Sequence, residues 1–161
     1  MAGTATSSQL LVARVVAVVA VVLVVLGLFW YGLSAEVLGR IGRDIAERPG
    51  GPMTFRFILQ PCMAALAAYH DGAKDARLGR SPYLWSMLTH PQGGSRLREG
   101  GLATARIILL GFVMDGIYQA VVLKTFYPGE MVLVAILLAF VPYLLLRGPF
   151  CRLARRRSRS M

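Results

Sequence analysis

Three long apolar runs divide the chain, and the stretches between them place their apolar residues at helical rather than strand spacing. Residues 10–33, 102–124 and 131–147 are predicted membrane spans, since about twenty apolar residues at ~1.5 Å each cover the ~30 Å core of a bilayer. The first is rich in Val and ends in Phe29, Trp30 and Tyr31, the aromatic belt of an interface. No basic stretch precedes it, its core is too long for a signal peptide and no A-x-A site follows, so an uncleaved anchor is expected.

Between the first two runs the pattern changes twice. Residues 34–48 put Val37, Ile41 and Ile45 on one side of a helix and charges elsewhere, as an interfacial amphipathic helix does, and Pro49-Gly50-Gly51-Pro52 ends it. Residues 53–70 are apolar over too short a distance for a clean span and carry Arg56, Gln60 and Pro61, which predicts a re-entrant or interfacial helix. On a helical wheel Arg56, Gln60, Ala64, Ala67, Asp71 and Lys74 form one stripe, opposite Phe55, Ile58, Cys62, Leu66 and Tyr69. Such a stripe faces water or protein. Residues 71–100 read as a polar connection broken by Gly and Pro, with Tyr83 and Trp85 at headgroup level. Residues 125–130 (TFYPGE) form a tight turn through Pro128 and Gly129, and Pro142 loosens one turn of the last span.

Composition agrees with membrane residence: 56% of residues are apolar and the mean hydropathy is +0.58. The 18 Lys and Arg against 8 Asp and Glu gather between and after the apolar runs, as in loops facing the cytoplasm and its anionic lipid. Arg40, Arg43 and Arg48 follow the first span, the 71–100 loop is basic, and the 147–161 tail is polybasic. Placing all three inside gives an all-α, single-domain membrane protein with three transmembrane helices, an outer N-terminus, a cytoplasmic C-terminus and one re-entrant or interfacial helix at 53–70. The alternative is a four-span bundle with the N-terminus inside, in which Arg40, Arg43 and Arg48 stand on the wrong side. Cys62 and Cys151 have no metal-ligand spacing and read as packing residues.

One residue stands out within the spans. Asp115 lies near the middle of residues 102–124, where a carboxylate costs ~3 kcal/mol on insertion scales, so a partner, water or a proton must offset it. Its helical face holds Thr104, Ile108, Gly111 and Gln119, with Arg106 and Lys124 about half a turn away. The partner must come from elsewhere in the chain, and Arg56 and Gln60 are the candidates. The bland reading is a helix-packing carboxylate; the functional one is a proton or cation site in a pathway, which normally needs more spans. His70 and His90 have no nucleophile system around them in sequence. The tail RLARRRSRSM holds five arginines in eight residues, but without interleaved aromatics it suits topology and anionic lipid better than nucleic acid.

Two resemblances bear on function. Asp71-Gly72-x-x-Asp75-Ala76-Arg77 resembles the opening of the CDP-alcohol phosphatidyltransferase signature, in which paired aspartates hold a divalent metal against a diphosphate. The two further aspartates of that signature are missing, because no Asp follows Asp75 until Asp115, so a solvated helix end with local ion pairs is the preferred reading. The runs RFILQP (56–61), DGAKDARLGRSPYLW (71–85), EGGLATAR (99–106), MDGIYQ (114–119), FYPGE (126–130) and PYLLLRGP (142–149) resemble a group of small, functionally unassigned bacterial inner-membrane proteins over roughly residues 35–150. That resemblance implies an inner-membrane location and brings no site residue. The expectation is a structural or accessory subunit, without catalysis, cofactor or metal, that contacts itself or a larger membrane partner through the Asp115 face and the loop. A transport element using Asp115 and Gln119 comes second, and a lipid-phosphate enzyme using Asp71 and Asp75 third.

Overall fold

The computed structural model describes residues 6–51, 53–81, 83–89 and 93–159, and the regular structure among them is entirely helical. Helix α1 spans Ser7–Tyr31, α2 Ala35–Glu47, α3 Arg56–Arg77, α4 Tyr83–Thr89 and α5 Gly93–Tyr118. Helix α5 continues as a π-helical turn, Gln119–Leu123, and a short connection leads to α6, Pro128–Ala135. A second π-helical stretch, Ile136–Phe140, joins α6 without a break to α7, Val141–Arg159. Pro142 explains that widening: it offers no N–H, and its ring crowds the carbonyl four residues back.

Three of these helices are long and apolar enough to cross a membrane: Ser7–Tyr31, Gly94–Leu123 and Pro128–Arg157. They differ in how much protein covers them. Only 11% of the apolar window of α1 is buried, against 39% and 44% for the other two, so α1 lies at the rim with Val16 and Leu23 facing inward. Its contact with α6 is close where Gly27 meets Gly129: a Cβ on Gly27 would stand 2.9 Å from the Gly129 nitrogen.

The segment expected as a short helix over 53–70 is instead a continuous 22-residue helix. At ~1.5 Å per residue α3 is about as long as a bilayer core is thick. It runs beside the Ile136–Phe140 stretch and α7, in the same direction: Gln60 and Ala135 both approach Gly111, Gly72 lies against Arg147 and Cys151, and the Arg80 carbonyl just past α3 accepts from Arg155. A Cβ on Gly72 would come within 2.8 Å of the Arg147 carbonyl oxygen, so α3 and α7 approach backbone to backbone there. The expected stripe of α3 is turned inward only in its first half; beyond Ala64 the buried line passes one residue later, leaving Ala67 and Asp71 half-buried and Lys74 exposed. Arg56, Gln60, Ala64, Ala68, Gly72 and Asp75 are buried, whereas Phe55, Ile58, Leu66 and Tyr69 are exposed. For a soluble helix this is inside out; for a helix among lipids it is the favourable arrangement.

The expected polar connection over 71–100 is largely helical, shared among the end of α3, α4 and the start of α5. Buried Tyr83 anchors α4, donating to the Arg96 carbonyl and packing edge-on against Tyr143 with ring centres 6.0 Å apart. Burial pushes the Tyr83 phenol above its ordinary pKa, against the opposing pull of Arg147. The expected tail also begins later, because Arg147 is fully enclosed and α7 continues to Arg159.

Candidate functional site: two buried ion clusters at opposite ends

The polar interior divides into two clusters separated by the apolar core of Ala64, Ala68, Ala105, Ile108, Ala135 and Ala139. The first surrounds Asp115. Its Oδ1 accepts from Arg56 Nη1 at 2.7 Å and from Arg48 Nη1 at 2.5 Å, and its Oδ2 accepts from Gln119 Nε2 at 2.7 Å. Arg48 also donates through Nη2 to Glu130 at 2.8 Å, and the other Glu130 oxygen accepts from Arg40 at 2.5 Å. Arg40 pairs with Asp44 at 3.2 Å and stacks on Tyr127 with 3.9 Å between guanidinium carbon and ring centre. The Tyr118 ring lies under both Arg48 and Arg56, at 5.2 and 4.6 Å, and attracts both cations through its π face.

Local sequence explains the positions. Arg48 begins the single 3-10 turn that stops α2, ahead of Pro49, so the chain reverses there and the side chain drops onto the bundle. Glu130 sits in the first turn of α6, where a negative charge meets the positive end of the helix dipole. Gln119 opens the π-helical turn and holds the connection to α6, accepting from the Tyr127 N–H at 2.6 Å and donating to its carbonyl at 3.1 Å.

The second cluster lies at the other end. Arg147 donates through Nε to Asp75 at 2.8 Å, through Nη2 to Glu99 at 2.7 Å and through Nη1 to the Tyr143 hydroxyl at 2.6 Å. That hydroxyl donates to Asp71 at 2.6 Å, and Arg96 and Arg80 approach Asp75 at 3.4 and 3.6 Å. Tyr83 covers Arg147 at 4.2 Å from ring centre to guanidinium carbon.

Of the residues singled out from the sequence, the structure brings together Arg56, Asp115 and Gln119. Gln60 is buried one turn deeper and makes its approach at Gly111; its Oε1, like Arg48 Nε and Arg56 Nε and Nη2, has no hydrogen-bond partner among the described residues. Asp71 and Asp75 join the second cluster, with both oxygens of Asp75 facing arginines, and Arg77 points outward beside α7. His70 is exposed, and His90 lies outside the described residues. Sequence reasoning missed Arg40, Arg48, Glu130, Glu99 and Arg147. Glu130 carried a usable signal, an acid two residues past a Pro at the mouth of an apolar run; Arg48 carried only its place before a Pro-Gly turn.

Each cluster holds three arginines and three carboxylates: Arg40, Arg48 and Arg56 with Asp44, Asp115 and Glu130, then Arg80, Arg96 and Arg147 with Asp71, Asp75 and Glu99. Six of the 8 acidic residues are thus neutralised in place, and the formal charge of +10 falls on the rest of the chain. At the Asp115 end these are Glu36, Arg43, Glu47 and Lys124, which sum to zero. The entire excess therefore lies toward the end that carries Arg77, Arg98 and the last turns of α7.

Comparison with known proteins returned no matching family model, no matching curated protein and no matching solved structure.

Proposed function

We propose that the chain is a four-span structural or accessory subunit of the bacterial inner membrane, with both termini cytoplasmic, whose helices are held in register by the two ion clusters. The observation that carries the role is the saturation of Asp115: Arg48, Arg56 and Gln119 occupy both its oxygens within a neutral group, which leaves no lone carboxylate to load and unload an ion. What supports a fourth span is α3, which matches the bilayer in length, keeps its apolar side outward and lies between clusters at its two ends. Under this reading Arg40 and Arg48 do not break the positive-inside trend, since they are neutralised by Glu130 and Asp115. The nearly bare α1, with Leu11, Val18, Val21 and Val25 outward, is the surface offered to lipid, a second copy or a larger membrane partner.

A transport element using Asp115 and Gln119 is the second reading, favoured by the donors of Arg48 and Arg56, and the Gln60 acceptor one turn deeper, that have no partner among the described residues. The third, a lipid-phosphate enzyme, draws less support because Asp71 and Asp75 are engaged by Tyr143 and three arginines. Asp115→Asn in proteoliposomes separates the first two. A structural carboxylate predicts lower thermal stability and proton permeability equal to the wild type. A proton or ion flux in the wild type that disappears in a stable Asp115→Asn protein would replace this reading with the transport one.

A further inference from the structure

We infer that the groove between α3 and α7 is a discrete site for one anionic phospholipid of the leaflet at the basic end, an assignment that rests on the membrane orientation proposed above. The groove is about 580 Å³ and is lined by Tyr69, Ala73, Ala76, Arg77, Leu153 and Arg157. Its polarity changes along its length as a lipid's does. Tyr69 and Leu153 stand toward the middle of the bundle, while Arg77, two helical turns beyond Tyr69, and Arg157, one turn beyond Leu153, stand at the end of the bundle.

The wall is built rather than incidental. Small residues, Ala73 and Ala76, keep the floor open, and Tyr69 is braced edge-on against Phe150 with ring centres 5.5 Å apart. Charge complementarity selects the headgroup. Because Asp71, Asp75 and Glu99 are held by Arg80, Arg96 and Arg147, the nearest carboxylates among the described residues are already balanced, and the groove lies in the part of the chain that carries the positive excess of the sequence. A phosphate between Arg77 and Arg157 gains charge-assisted hydrogen bonds that a neutral headgroup lacks, and an acyl chain covers Tyr69 and Leu153. The tail's other arginines attract anionic lipid diffusely, whereas this groove holds one molecule.

The experiment uses the full chain in mild, uncharged detergent, titrated with palmitoyl-oleoyl phosphatidylglycerol or with the phosphatidylcholine of the same chains, and counts bound lipids by native mass spectrometry. One phosphatidylglycerol should bind in preference to phosphatidylcholine. Arg77→Gln with Arg157→Gln should weaken that first binding about thirtyfold, at roughly fivefold for each arginine near a headgroup. Arg152→Gln with Arg156→Gln removes the same net charge outside the groove and should leave the first binding near the wild-type value. Equal loss in both double variants, equal binding of the two lipids, or full displacement by millimolar inorganic phosphate would each overturn the site. A groove variant that unfolds is replaced by Ala73→Phe, which fills the floor without touching charge and should abolish the first binding alone. Reporter fusions test the membrane orientation separately, so failure of the lipid site leaves that reading standing.

Discussion

Replacing Asp115 by Leu is the most informative perturbation of the bundle, because the charges it leaves behind are unequal. Arg48 keeps Glu130 at 2.8 Å, but Arg56, 1% exposed, loses the one carboxylate bonded to it among the described residues and keeps ring contacts with Tyr118 and Phe57. Stranding a buried charge costs about 3–5 kcal/mol, so Asp115→Leu should destabilise by that order. Arg56→Leu is milder, since Asp115 retains Arg48 and Gln119, and about 1–3 kcal/mol is expected for the lost charged bond. The pair together should cost less than the sum, and removing Arg56 should restore part of what Asp115→Leu loses. Equilibrium unfolding in mixed micelles, read by the fluorescence of Trp30 and Trp85 and taken around the double-mutant cycle, measures the coupling, expected in the range of about 0.5–3 kcal/mol. Asp115→Asn, which keeps hydrogen-bonding capacity, should lie between wild type and Asp115→Leu. If the two Leu effects add to within about 0.5 kcal/mol, Arg56 and Asp115 do not act as a pair and the argument from the cluster fails.

Three further outcomes follow from the same geometry. A reporter active only in the cytoplasm should be silent when fused after Gly50 or Pro128 and active after Gly94 or Met161; activity after Gly50 would return the chain to three spans. Gly72→Val places side-chain atoms where the Arg147 carbonyl already lies 2.8 Å from a Cβ, so it should lower stability by about 1–3 kcal/mol or more, whereas Gly42→Val, which meets open space, should change it far less. Gln119→Leu removes both side-chain bonds to Tyr127 and one to Asp115, and should cost about 1–3 kcal/mol while raising protease sensitivity at residues 124–127.

How much was legible in the sequence depended on the range of the interaction that set each feature. The three apolar helices were legible because lipid selects on the composition of about twenty consecutive residues, a property each segment carries alone. The polar stripe of α3 was legible for a similar reason: a 3.6-residue repeat put Arg56, Gln60 and Ala64 on one side whatever the partner. So was the need of Asp115 for a distant cation, since its own helical face holds none. Which cations met it was not. Arg48 reaches Asp115 across 67 positions and Arg147 reaches Asp75 across 72, and no local pattern distinguishes those arginines from the ones left at the surface. On the four-span reading proposed above, charge counting along the chain misleads for the same reason, because it treats Arg40 and Arg48 as free charges, and only their pairing with Glu130 and Asp115 removes them from the balance. Length, period and burial class are written residue by residue; pairing, register and the charge that remains at each end are properties of helices already packed, where desolvation makes every buried charge find its opposite.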